Sequence, residues 1–431
     1  MRLDQTSAYI QRSRGAPLEV SLAARKGIRY RDDALLLTLP LIARFNALAL
    51  SGFSGNILKL IKNFSSPAPL LERLDVRVSG TRHAAFESPL LGGNPSLRKL
   101  RLSKVITSLP WRNLSNLTTF YFGNVPSNTI TVAQLLDFFE HAPLLRRIEL
   151  VESLPEFSNA PAERVVYLPC LRFLRTLSQP APSILLNHLH VPTGASVRRE
   201  FPFGHGISPI PDYLPTPLNN LSNISHITSV NFDFSSGIAM RLNGPNGDLY
   251  VFGAWNDRST VPCTLGEETL RSFNKLRIST IERLSITRYD SLARRKSEVS
   301  GAYQTLLLMN NLRTLTLIDS INLSFILALT PNENASSTVV CPRLEEYAQY
   351  IGSEGPPRTE YLLNMVEERA SRGAKLSTIM FSLPQRFFPA KASRIRSYVS
   401  RVEYGSEDST HKPRWDTIPG EADEVDDDSD W

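Results

Sequence analysis

PLLERLDV (69–76), NPSLRKLRL (94–102) and APLLRRIEL (142–150) share one frame: a proline, a leucine two residues later, and a second aliphatic three residues after that. The frame P-x-L-x-x-(L/I/Y) occurs at Pro69/Leu71/Leu74, Pro95/Leu97/Leu100, Pro143/Leu145/Ile148, Pro169/Leu171/Leu174 and Pro342/Leu344/Tyr347. Without the proline, the L-x-x-L-x-L spacing adds Phe45/Leu48/Leu50, Leu117/Phe120/Phe122, Ile227/Val230/Phe232, Ile281/Leu284/Ile286, Leu312/Leu315/Leu317 and Leu376/Ile379/Phe381. The x-L-x-L portion alternates as a short strand with one buried face, and the proline and leading leucine bring the chain out of a turn.

Leading positions at 45, 71, 97, 117, 145 and 171 give steps of 26, 26, 20, 28 and 26 residues, and those at 281, 312, 344 and 376 give 31, 32 and 32. These periods suit leucine-rich repeats, in which each unit buries its apolar face only against its neighbours. Helical stripes lie between the strands: Ile57, Leu60, Ile61 and Phe64; Val132, Leu135, Leu136 and Phe139 after a Thr131…Gln134 capping box; and Leu362, Met365, Val366 and Arg369, closed by Gly373. Arg369 and Arg372 suit the negative end of that last helix dipole. The expected fold is an α/β leucine-rich-repeat-like solenoid, an irregular horseshoe with parallel strands on the concave side and helices on the convex side. The ninth position of the units, which favours Asn or Cys in regular repeats, holds Ser79, Val105, Val125, Ser153, Gln179 and Ser320, so no asparagine ladder is expected.

The frame divides the chain into an N-terminal repeat half (1–177), a Pro-rich irregular connection (178–222, with eight prolines), a C-terminal half (223–405) and a tail (406–431). Within the second half, residues 238–255 read as a hairpin turning at Asn243-Gly-Pro-Asn-Gly247. The tail holds ten acidic side chains against Lys412 and Arg414, so the net charge of +6 conceals a body of +14 and a tail of −8. A run such as GEADEVDDDSD repels itself and buries nothing, and is expected to be disordered.

Composition excludes other classes. With 42% hydrophobic and 21% charged residues the body folds. No stretch reaches the roughly 20 apolar residues of a membrane span, and the first residues lack the apolar block of a secretory signal, so a cytoplasmic or nuclear location is expected. Cys170, Cys263 and Cys341 form no CxxC pair, which argues against a disulfide framework and a zinc site. His188 and His190 would share a face of a strand, but no further ligands lie near, and Gly204-His-Gly206 lacks a following helix. No nucleophile-elbow, Walker or HExxH pattern occurs. No catalytic residue, metal or cofactor is expected, and the chain is read as a non-enzyme.

PLLERLDV, NPSLRKLRL, APLLRRIEL, LPCLRFLRTL, LLNHLHVP and CPRLEEY resemble the irregular leucine-rich region of the F-box protein family of mushroom-forming (basidiomycete) fungi, in style over roughly residues 5–400. The resemblance implies the substrate-recognition part of an F-box-type ubiquitin ligase receptor, in which an F-box docks on a Skp-type adaptor. An F-box would open near L-P-x-E-[IL]; Leu39-Pro40-Leu41-Ile42 lacks the acid, so the adaptor is expected only for a longer form.

The residues flanking the fourth position of each unit face outward: Arg73 and Asp75, Lys99 and Arg101, Thr119 and Tyr121, Arg147 and Glu149, Phe173 and Arg175. Strands about 4.8 Å apart would merge them into one strip. The candidate partner-binding face is therefore Arg73, Lys99, Arg101, Tyr121, Arg147, Phe173 and Arg175, suited to an acidic or phosphorylated protein segment with Tyr121 and Phe173 as anchors. The alternative is a nucleic-acid-binding or general scaffold solenoid; scattered basic residues without an aromatic-basic module argue against nucleic acid.

Overall fold

The computed structural model describes residues 3–24, 37–63, 66–86, 96–107, 114–126, 129–152, 164–177, 184–202, 220–233, 237–254, 278–287, 296–318, 323–331, 339–350, 359–381 and 391–404. The acidic tail, Cys263 and Gly204-His-Gly206 lie outside them. The protein is α/β, built on mostly parallel strands. Of the described residues, 3–200 and 220–222 form one compact unit, and 201–202 and 223–404 a second.

Unit one contains α1 (Leu3–Arg12), β1 (Leu18–Ala24), a 3-10 turn (Leu39–Arg44), β2 (Phe45–Phe53), α2 (Ser54–Asn63), β3 (Arg73–Ser79), β4 (Ala84–Phe86), β5 (Lys99–Ser103), β6 (Val105–Thr107), β7 (Thr119–Gly123) and α3 (Val132–Glu140). It continues with β8 (Arg147–Val151), β9 (Val166–Tyr167), β10 (Phe173–Leu177), α4 (Ile184–Asn187), β11 (Leu189–His190) and β12 (Ala195–Pro202). Its main ladder runs β1-β2-β3-β5-β7-β8-β10-β12, parallel throughout, and two short parallel ladders, β4 with β6 and β9 with β11, stand apart from it.

Unit two contains β13 (Ser229–Asp233), β14 (Gly237–Gly244), β15 (Gly247–Ala254), β16 (Arg283–Thr287), α5 (Lys296–Leu307), β17 (Thr314–Ile318), α6 (Leu323–Leu329), β18 (Glu346–Tyr350), α7 (Thr359–Ser371), β19 (Thr378–Phe381), α8 (Lys391–Tyr398) and β20 (Arg401–Tyr404). β13 and β16 to β20 pair in parallel, and the β14–β15 hairpin joins the ladder antiparallel beside β13.

The recurring frame has a direct backbone meaning. In Ala68-Pro69-Leu70-Leu71 the Leu71 N–H donates to the Ala68 carbonyl, and the same closure recurs from Leu117 to Leu114, Leu145 to Ala142, Leu171 to Leu168, Leu312 to Met309 and Leu344 to Cys341. Proline at the second turn position fixes the required φ and sacrifices no donor. The leading leucine is then driven into the core: Leu71, Leu97, Leu117, Leu145 and Leu171 are at most 2% exposed, each contributing roughly 1.5–3 kcal/mol of burial. One residue on, a single carbonyl serves two donors of the next unit: Glu72 O accepts from Arg98 and Lys99, Arg98 O from Thr118 and Thr119, Thr118 O from Arg146 and Arg147, and Arg146 O from Arg172 and Phe173.

The chain manages without an asparagine ladder by another device. Lys104, Asn124 and Glu152, each just past its strand, adopt left-handed φ of 57°, 58° and 47° and donate their N–H to Gly123 O, Val151 O and Leu177 O, the last carbonyl of the following strand. The strand-exit turns are thus tied through the main chain, with Lys104 Nζ adding a bond to Gly80 O at 2.7 Å. Asparagine is favoured in that conformation but not required by it.

The expected helices form, with Phe64 of the first stripe lying outside the described residues. Thr131 and Gln134 make the reciprocal capping box, with Gln134 N–H donating to Thr131 Oγ1 at 3.2 Å and Thr131 N–H to Gln134 Oε1 at 2.9 Å. Gly373, at φ 79°, closes α7 in a Schellman arrangement, Ala374 N–H reaching Arg369 O and Gly373 N–H reaching Ala370 O. Arg369 departs from expectation: its side chain is fully buried and donates to the carbonyls of Val340 and Cys341 rather than facing solvent at the dipole end. The stretch 178–222 also differs, because α4, β11 and β12 are ordered within it. Residues 193–201 are free of proline, and Ala195, Val197, Arg199 and Phe201 alternate into the buried face as a strand requires.

Candidate partner-binding face

Register fixes which side chains adjoin on the outward face of unit one. The row Ala47, Arg73, Lys99, Thr119, Arg147, Phe173, Ser196 runs across β2 to β12, and a second row holds Ala49, Asp75, Arg101, Tyr121, Glu149, Arg175, Arg198. All seven residues singled out from the sequence therefore lie on one face, in two adjacent rows.

Its electrostatics are not those of a plain basic strip. Glu149, only 8% exposed, takes Arg147 Nε at 2.7 Å and lies 4.0 Å from Arg175 Nη1. Arg175 also reaches Glu200 at 3.0 Å, and Glu200 pairs with Arg198. Arg77 pairs with Asp75 at 2.8 Å, and Arg73 with Glu19 of β1. Glu19, Arg198 and Glu200 escaped the sequence reading because β1 and β12 lack the leucine frame. The face expected to be mainly basic is largely self-neutralised toward β8, β10 and β12.

The two aromatic anchors are each covered by a cross-strand arginine. Arg101 lies over the Tyr121 ring at 4.3 Å and Arg147 over Phe173 at 4.5 Å, contacts worth about 0.5–1 kcal/mol at such part-exposed sites. Tyr121 bends along its strand over Gly123, where a Cβ would come within 2.8 Å of its hydroxyl oxygen, so glycine makes room for the ring. Burial pushes the Tyr121 hydroxyl above its ordinary range, opposed by the Arg101 charge and reinforced by Glu149, and the phenol is neutral at physiological pH.

Replacing Glu149 by glutamine tests this account. The face gains one positive charge while Arg147 and Arg175 lose a shared acceptor. Unit one is expected to lose about 1–2 kcal/mol, kept small by the 39% and 31% exposure of the two arginine side chains. An acidic probe peptide should bind about threefold more tightly at low salt, read by fluorescence anisotropy. Unchanged affinity would refute the neutralising role.

The outward face of unit two is not basic. Its strands present Arg283, Thr314 and Glu346 in one row and Ser285, Thr316 and Ala348 in the next, with Thr314 donating to Glu346 at 3.3 Å. The histidine pair does not share a strand: His188 precedes β11, is buried, and its Nδ1 lies 2.7 Å from Arg164 O, whereas His190 stacks on Tyr167 at 4.8 Å. Among the described residues no cluster of three His, Cys, Asp or Glu could hold a metal, and no helix is long and apolar enough to cross a membrane. The chain matches no protein-family model and no curated protein.

Proposed function

We propose that this protein is a leucine-rich-repeat-like solenoid that acts as a non-enzymatic protein-recognition module, with the outward face of unit one as its binding surface. The observation that carries the reading is the register: Arg101, Tyr121, Arg147, Phe173 and Arg175 adjoin on strands locked by main-chain hydrogen bonds. Tyrosine and arginine are the residue types that dominate interface energetics, and a rigid sheet presents them with little ordering cost. The acids interspersed among the cations suit a protein surface better than a polyphosphate backbone, which would meet Asp75, Glu149 and Glu200. Resemblance to fungal F-box proteins extends the proposal to substrate recognition for a ubiquitin ligase in the cytoplasm or nucleus, with a Skp-type adaptor engaged by a form that carries an F-box.

Affinity purification with the full chain and with a Tyr121→Ala/Phe173→Ala variant tests it. The expected result is a defined set of partners retained by the wild type and lost by the variant. Identical recoveries would overturn the assignment of this face.

A further inference from the structure

The charges of unit one are graded along the strands. Where β3, β5, β7, β8 and β10 begin, the last turn residue and first strand residue of each unit place Arg73, Arg98, Lys99, Arg146, Arg147 and Arg172 against one acid, Glu72. Further along the outward face of the same strands, three basic residues (Arg77, Arg101, Arg175) meet two acids (Asp75, Glu149). The ion pairs described above draw on this second group and on Arg73 and Arg147. Arg98, Arg146 and Arg172 take no part: all three are exposed, and none has an acidic partner among the described residues.

Their backbones are not adaptable. Arg98 O and Arg146 O each accept two N–H groups from the next unit, and Arg172 N–H donates to Arg146 O. At about 4.8 Å per strand, Arg98 and Arg146 stand about 10 Å apart and Arg146 and Arg172 about 5 Å apart. Like charges held on neighbouring strands are mildly destabilising, and among the described residues Glu72 is the one acid in this row.

We propose that this leading edge is a docking site for an extended, carboxylate-rich segment of a partner protein, whose alternate acidic side chains are taken by Arg98, Arg146 and Arg172. The inference rests on the protein-recognition reading and adds to it a second surface and a partner chemistry. Charge complementarity selects the partner. An extended peptide repeats its side chains on one side about every 6.8 Å, within the 5–10 Å spacing of the row, and each guanidinium fork donates to one carboxylate. The cations are strung out rather than converging on a point, which favours distributed carboxylates over a single phosphate dianion.

The test uses the full chain, a fluorescein-labelled peptide of alternating glutamate and serine, the matching phosphoserine peptide and an oligothymidine. Arg98→Glu/Arg146→Glu/Arg172→Glu is compared with Arg313→Glu/Arg343→Glu/Arg401→Glu, which makes the same change of net charge on exposed residues of unit two. Circular dichroism establishes that both variants fold. At low salt the first variant is expected to bind the glutamate peptide at least about tenfold more weakly, and the second less than about threefold. Equal weakening by both variants, or tighter wild-type binding of the phosphoserine peptide or oligothymidine than of the glutamate peptide, overturns the proposal. If the arginine row fails in this way while partner capture still depends on Tyr121 and Phe173, protein recognition stands and only the leading-edge site falls.

Discussion

Replacing Arg369 by alanine is expected to lower the unfolding free energy of unit two by about 3–5 kcal/mol, because it leaves a large buried cavity and strips buried carbonyls of a charged donor. The side chain is fully buried in α7, with Nη1 donating to Val340 O at 2.7 Å and Nη2 to Cys341 O at 2.9 Å. Cys341 opens the turn that launches β18: it holds a φ of 48°, its carbonyl also accepts Leu344 N–H, and its thiol donates to Leu306 O at 3.2 Å. The guanidinium thus ties one helix to the turn preceding the neighbouring strand, and alanine would leave both a cavity and the Val340 carbonyl without this donor. Burial lowers the Arg369 pKa to about 10, a sign that the charge is held against desolvation. Methionine, which fills the volume without a charge, should therefore cost less than alanine, and lysine should recover under half of the loss because one ammonium cannot reproduce the fork.

Cys341 reports on this region directly. Burial pushes its thiol up to about 12, so at pH 8 it is protonated and enclosed, and a thiol reagent reaches it only when the region opens. In a chain with Cys170 and Cys263 changed to serine, Arg369→Ala is expected to accelerate labelling by two to four orders of magnitude, about 10²–10⁴, the equivalent of about 3–5 kcal/mol. An unchanged labelling rate together with an unchanged urea midpoint would show that the arginine is a passenger.

The sequence made the strands legible wherever leucine carried them. All eleven frames coincide with strands of the two ladders, because a leading apolar residue and period-two alternation, reinforced by a proline turn in five of them, agree on the same answer. β12 was not legible: Arg199 occupies a buried position at 4% exposure and breaks the apolar alternation. β1 and β20 were equally hidden, since neither carries a leucine-led L-x-x-L-x-L spacing. The candidate face suffered from the same gap. Its seven residues were found from the frame, but Glu19, Arg198 and Glu200, which pair with Arg73 and Arg175 or with each other, sit on the strands that the frame missed. Arg98, Arg146 and Arg172 were passed over for a different reason. They precede the strand proper, where alternation assigns no face, and only the shared-carbonyl ladder shows them to be aligned.

Phe120→Ala is expected to cost unit one about 3–5 kcal/mol, the usual loss for truncating a fully buried phenylalanine. Its ring is wholly buried, 4.4 Å from Phe138 and 6.5 Å from Phe139, with Phe122 at 5.9 Å on its own strand. α3 supplies two of these rings and is held at its first turn by the Thr131–Gln134 box, so it cannot readily move inward to fill the space. Leucine in place of Phe120 should cost clearly less than alanine, and Thr131→Ala only about 1 kcal/mol, so urea unfolding of the three variants ranks cavity against cap. The effect should extend to binding, because Thr119 and Tyr121 point outward from the residues on either side of Phe120. A cavity beneath β7 loosens the strand that carries Tyr121, and partner affinity should fall in Phe120→Ala even at temperatures where the variant remains folded. Amide exchange separates this from global instability: accelerated exchange confined to β5, β7 and β8 is the expected pattern, whereas uniform acceleration over unit one, or a loss below about 1 kcal/mol, would show that the ring cluster does not support the face.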